Sequence, residues 1–142
     1  MNTPRLIDPD DLAVATILME AESESYEGKL AVAQVIRNRM RLRYASDGTV
    51  ASTVLWPLQF SCWNHNNTRR DDVCNYGLSD DRVLEAQRAW TESGHGGPLP
   101  FTAVLYHTAA RPTRDGLWPP KWAENAKRET KIGAHVFYSD PT

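Results

Sequence analysis

Cysteine is scarce in this sequence. Cys62 and Cys74 are the only two, too few for a disulfide framework and without the paired spacing of a zinc site. Two free or buried thiols are expected, with one bridge formed after export as the alternative. Charge of one sign is scarce too: 16 Lys and Arg stand against 18 Asp and Glu, for a formal net charge of -2. The cations are spread along the chain, so the basic footprint of a nucleic-acid binder is missing. The nearest thing to a basic run, Arg37, Arg39, Arg41 and Arg43, alternates with Asn38, Met40 and Leu42 at the end of an expected helix. A solvated face or a complement to the helix C-terminus is the reading there. No apolar stretch is long enough to span a membrane, and the start, Met1 to Asp8, has no apolar core of signal-peptide length. No membrane insertion is expected, and synthesis in the cytosol is.

Other absences remove whole chemistries. There is no Gly-x-Ser-x-Gly elbow, no Gly-rich phosphate loop and no dinucleotide fingerprint. The four histidines, His65, His95, His107 and His135, do not show the His-Glu-x-x-His spacing of a zinc peptidase. No metal and no cofactor are expected. No internal repeat, low-complexity tract or linker divides the 142 residues, and with 41% hydrophobic and 24% charged residues the chain has the composition of one ordinary globular domain, residues 1–142.

Within that domain the helix signals are strong. Asp8-Pro9-Asp10-Asp11 combines a cap, a proline at the first helical position and acids at the positive end of the dipole. The spacing predicts a helix from Pro9 to Glu22, with Val14, Ile17, Leu18 and Ala21 as one buried stripe. Small polar residues and a glycine, Ser23 to Gly28, interrupt the pattern before Leu30, Val32, Val35, Ile36 and Met40 restart it, the signature of a helical hairpin. Ser79-Asp80-Asp81 caps a third helix whose apolar face is Val83, Leu84, Ala86 and Trp90, and Gly94 stops it. Tyr44 to Leu78 has no clear period, and a long irregular stretch in a compact domain is usually functional. Ala103 to His107 and Ala134 to Tyr138 read as short strands that pair in a small hairpin-like sheet. The fold class is α+β, mostly α.

Three groups of residues could carry chemistry. Glu20, Glu22, Glu24 and Glu27 cluster at the end of the first helix, where a carboxyl beside an apolar stripe can be held protonated near neutral pH. A solvated helix end is the alternative. Gln59-Phe60-Ser61-Cys62-Trp63-Asn64, preceded by Trp56-Pro57, mixes rings with amides, as sugar sites do. A buried anchor for a loop explains the same residues. His107 and His135, each in a short apolar strand, are hydrogen-bonded structural or cleft-lining groups.

Taken together and in order, three blocks resemble the spore-cortex-lytic (SleB-type) family of bacterial cell-wall hydrolases: Ala15 to Glu24 with Tyr26 to Arg39, then Gln59 to Asn64, then Ala103 to His107 with Ile132 to Tyr138. The family usually has Gly-Glu-Ala-Arg-Gly-Glu where this chain has Met19-Glu20-Ala21-Glu22-Ser23-Glu24. The resemblance implies a lysozyme-like helical domain with a small sheet, bacterial peptidoglycan as partner, and a catalytic glutamate at Glu20. It implies a lytic transglycosylase, which closes the muramic acid 6-hydroxyl on its own anomeric carbon to give a 1,6-anhydro end. Gln59, Phe60, Ser61, Trp63, Tyr106, His107, His135 and Tyr138 are then the expected substrate-binding residues. A hydrolytic muramidase needs a second carboxyl roughly 5 to 9.5 Å away, for which Glu24 and Glu27 are candidates. A non-catalytic peptidoglycan-binding module and a zinc amidase or peptidase complete the alternatives. Family members often carry a signal peptide and a wall-binding domain. Lacking both, the chain looks like a bacteriophage endolysin, a monomer made in the host cytoplasm that reaches the periplasmic wall through a lesion made by a holin.

Overall fold

The computed structural model describes residues 8–57, 59–63, 73, 75–108 and 121–140. Helix α1 spans Pro9–Ala21, with the Asp8 carboxylate accepting from the Asp10 N–H and Pro9 in the first turn. More than a stripe of it is buried: Leu12, Ala13 and Thr16 join Val14, Ile17, Leu18 and Ala21. The helix is therefore central, packed against α2 (Tyr26–Leu42), α3 (Val50–Val54) and α4 (Asp81–Ser93). Thr16 is accommodated there because its hydroxyl donates to the Leu12 carbonyl and accepts from the Trp63 indole N–H at 2.9 Å.

The hairpin between α1 and α2 is tighter than the glycine suggests. Ser25 caps α2 by accepting from the Gly28 N–H, so Gly28 lies inside the first turn. A Cβ there would fall 2.9 Å from Glu24 Cβ, which makes it a close-approach glycine and not a stop. Helix α4 starts from the Asp80 cap and ends at Gly94 as its signals predict, although Leu84 faces outward at 48% exposure. The expected irregular stretch contains α3, capped by Thr49 and burying Val50, Thr53 and Val54, and a 3-10 turn, Ser61–Trp63.

Strands β1 (Ala103–Thr108), β2 (Lys127–Ile132) and β3 (His135–Ser139) form an antiparallel sheet in the order β1-β3-β2. The two strands expected from the sequence do pair, and β2, which has a single apolar residue, is added on the far edge of β3. A tight turn with Gly133 at φ +57 joins β2 to β3. Polar residues of α2 fasten the segment that leads into β1. The Gln34 amide exchanges hydrogen bonds with the Leu99 N–H and carbonyl, and Asn38 Nδ2 donates to the carbonyls of Pro100 and Ala103.

The arginines of α2 divide: Arg41 and Arg43 are exposed at its C-terminal end, as expected, whereas Arg37 and Arg39 are drawn into the packing. Arg37 stacks on Trp90 at 3.7 Å while donating to Ser93 Oγ and the Trp90 carbonyl, and Arg41 donates to the Phe101 carbonyl. Arg39 is buried at 3% exposure. Their alternation with apolar residues follows a helix lodged between α4 on one side and β1 on the other. Cys62 is a free, buried thiol, and Cys74 and His65 lie outside the described residues.

Candidate active site

Glu20 occupies the last turn of α1, half-buried, where the central helix delivers it to the sheet. Tyr106 on β1 donates its hydroxyl to Glu20 Oε1 at 2.6 Å. The Cys62 thiol and backbone N–H, and the Arg39 charge, also act on this carboxyl and favour its ionised form. Burial pushes the Glu20 carboxyl above its ordinary value of 4.5, against the lowering effects of Tyr106, Cys62 and Arg39. The acid thus holds its proton to higher pH than a solvated glutamate, the property a proton donor needs. Burial likewise raises Tyr106 well above 10.0 and pushes the Cys62 thiol up, so both stay neutral as hydrogen-bond donors.

Strand alternation divides the other candidates between two faces of the sheet. Tyr106 packs with Phe137, Phe60 and His135, the His135 ring edge-on at 4.9 Å. His107 and Tyr138 lie on the opposite face, joined by a 2.8 Å hydrogen bond between Nε2 and the phenol, with Trp122 set edge-on against both rings. The expected cleft lining is thus two groups, of which only the Tyr106 group touches Glu20. Phe60, at 1% exposure, packs against Arg39 and the Tyr106 ring, too deeply buried to meet a sugar. Trp63 anchors its turn through Thr16. Gln59 accepts from Arg39 at 3.3 Å. Ser61 opens the 3-10 turn, and its side chain lies outside the described part.

Among the glutamates expected as second acids, Glu24 is committed to the β2–β3 turn. Its Oε1 accepts from the Ala134 N–H at 2.8 Å and lies 3.5 Å from His135 Nδ1. Burial lowers His135 below its ordinary 6.5, with Glu24 opposing. Glu27 is exposed in the first turn of α2. Glu22 accepts from the Tyr76 hydroxyl and pairs with Arg82 at 3.2 Å. Among the described residues no group of three His, Cys, Asp or Glu converges as a metal site. Arg39 and Cys62 are the site residues that sequence reasoning missed. The signal for Arg39 was its place four residues after Val35 and three after Ile36, in a run buried on α2.

A helical domain whose central helix presents one half-buried carboxyl to a small antiparallel sheet is a lysozyme-like domain. The chain belongs to the cell wall hydrolase family, whose model matches residues 23–138, and is a peptidoglycan-cleaving enzyme. That span begins three residues past Glu20 and includes Glu24 and Glu27. Two solved structures share the fold. The catalytic domain of the germination-specific lytic transglycosylase SleB from Bacillus anthracis is 21% identical with a TM-score of 0.68, covering 98% of this chain and 100% of that one. The catalytic domain of the Bacillus cereus SleB protein is 23% identical with a TM-score of 0.67, covering 98% and 97%. No curated protein sequence matches the chain.

Proposed function

We propose that the enzyme is a lytic transglycosylase that cuts peptidoglycan glycan strands with Glu20 as its one acid and base. The observation that carries this reading is the setting of Glu20: the groups acting on it are a phenol, a thiol, a backbone N–H and a guanidinium, the surroundings of a single carboxyl that must both give and take a proton. The B. anthracis fold neighbour is itself a lytic transglycosylase by name. In the first step protonated Glu20 gives its proton to the glycosidic oxygen as the bond to the muramic C1 breaks. In the second the carboxylate takes the proton of the 6-hydroxyl while O6 bonds to C1. No water is consumed, and the attacking hydroxyl is held on the same sugar at high effective concentration.

A hydrolytic reading is favoured by one specific feature, the largely buried Glu24 carboxylate beside His135, which would serve as the second acid. Mass spectrometry of products released from purified sacculi separates the two. Anhydro ends from the wild type and from Glu24→Gln, with none from Glu20→Gln, are expected; reducing ends lost in Glu24→Gln would establish the hydrolase. Release by Glu20→Gln at the wild-type rate would remove Glu20 from the chemistry. The biological setting we propose is lysis of a bacterial host, tested by the fall in turbidity when the enzyme and a pore-forming partner are expressed together.

A further inference from the structure

His135 opens β3, and its imidazole and the Glu24 carboxylate are both enclosed, the two side chains 10% and 11% exposed. Glu24 reaches from the α1–α2 turn into the space that a Cβ on Gly133 would fill, 2.6 Å from its Oε1, and accepts there from the Ala134 N–H at 2.8 Å. The same oxygen lies 3.5 Å from His135 Nδ1, which is the one buried side-chain nitrogen or oxygen among the described residues without a hydrogen-bond partner. A neutral imidazole carries a proton on one nitrogen and a lone pair on the other. A lone pair on Nδ1 would set two acceptors against each other where no water screens them, whereas a proton on Nδ1 faces the carboxylate favourably. On its other side the contact leads to the active site: the His135 ring stands edge-on to Tyr106 at 4.9 Å, nearer than Phe137 or Phe60, and the Tyr106 hydroxyl donates to Glu20 Oε1 at 2.6 Å.

We propose that Glu24 is a positioning residue of the reaction: it fixes His135 in the tautomer with the proton on Nδ1, and through that imidazole it holds the Tyr106 phenol on Glu20. This rests on Glu20 being the acid. A histidine side chain free in water prefers the proton on Nε2, so the Nδ1–H form records a choice imposed by the carboxylate. Without Glu24 the imidazole loses its polar anchor, the Tyr106 ring loses the support of its nearest ring neighbour, and the donor that favours the Glu20 carboxylate weakens.

The tautomer is read from the 15N shifts of the His135 ring, assigned with His135→Gln, at about pH 8, where the imidazole is neutral because burial lowers it below 6.5. The wild type should carry the proton on Nδ1 and Glu24→Leu on Nε2. A wild-type proton on Nε2, or one that stays on Nδ1 in Glu24→Leu, overturns the proposal, and the wild-type reading decides even where Glu24→Leu does not fold. The effect on the site is read from the titration of Glu20, followed by the 13C shift of its side-chain carboxyl. Tyr106→Phe should raise that midpoint by about one pH unit, the order expected when a hydrogen bond to a charged group is lost. Glu24→Leu should raise it too, although the loss of a nearby anion alone would lower it, and should add no rise in the Tyr106→Phe background. Glu24→Gln, whose amide oxygen still accepts from Nδ1–H, should not raise it. No rise in Glu24→Leu, or a further rise without the Tyr106 hydroxyl, overturns the positioning role. Neither reading needs turnover, so a wild type that releases nothing from sacculi would count against the transglycosylase reading and leave both results standing.

Discussion

The hydroxyl of Tyr106 makes the shortest described contact to the Glu20 carboxyl, 2.6 Å, and what it does there is an electrostatic question with a definite sign. A donor stabilises the carboxylate more than the acid, so Tyr106 lowers a carboxyl that burial raises. Because the first step needs the protonated acid, activity should fall as pH rises through the Glu20 midpoint. Tyr106→Phe keeps the ring against Phe60, His135 and Phe137 and removes only the donor. Its kcat/KM profile should lose activity at higher pH than the wild type does; an alkaline limb that stays in place or moves down would show that Tyr106 does not act on this proton. Glu20→Gln should reduce turnover by on the order of 10²- to 10⁴-fold, the usual contribution of general acid–base catalysis.

At the scale of elements, polar contacts decide how the sheet sits on the helices, and two of them are open to direct test. Gly133, at φ +57, would place a Cβ 2.6 Å from Glu24 Oε1, so Gly133→Ala must both strain the turn and expel the carboxylate that accepts from Ala134. A loss of about 1 to 3 kcal/mol is expected in a denaturant melt, and Glu24→Gln should remove part of that penalty. Gln34→Leu leaves the buried N–H and carbonyl of Leu99 without their partner, at about 1 to 3 kcal/mol for each unsatisfied group; a melt within about 0.5 kcal/mol of wild type would mean that water replaces the amide.

The same elements show what could be read from the sequence. Helices α1 and α4 and strands β1 and β3 were legible because caps and apolar runs announce them locally: Asp8, Asp80 and Gly94 sit at the ends, and Ala103, Val104, Val136 and Phe137 are core residues. Strand β2, Lys-Arg-Glu-Thr-Lys-Ile, was not, because an edge strand is stabilised by the ladder to β3 and not by its own burial, and its charges suit an edge. Helix α3 has five residues, too few to show a period. Glu20 was singled out among the four clustered glutamates by the resemblance alone, since its place at the helix end does not separate it from Glu22, Glu24 and Glu27. The split of Tyr106 from His107 follows from strand alternation once β1 is recognised, while the burial of Arg39 depends on a sheet packing over α2, which no local pattern records.

For the molecule as a whole, the site carries a cost in stability that pH makes visible. Glu20 binds its proton more tightly folded than unfolded, since burial raises it above 4.5. Between 4.5 and its folded midpoint the native state therefore holds more protons than the unfolded chain, and stability falls as pH rises through that window. His135 works the other way: burial lowers it below 6.5, so the unfolded chain takes up a proton first and stability falls as pH drops below 6.5 toward the folded midpoint. Asp80, capping α4 and lowered to about 2 chiefly by its hydrogen bonds to Arg82, adds a loss only in strong acid, as pH falls from 3.8 toward that value. Glu20→Gln removes the first of these and leaves the others. Its neutral amide needs no desolvated charge and can still accept from Tyr106. We expect Glu20→Gln to melt at a higher temperature than the wild type at pH 7, and the difference to shrink as pH is lowered to and below 4.5, where the wild-type carboxyl becomes protonated in both states. The measurement is a pair of thermal melts at each pH across that range. A difference that is constant with pH would mean that the amide gains by packing alone, and a mutant less stable at pH 7 would mean that Arg39 and the donors around Glu20 outweigh its burial.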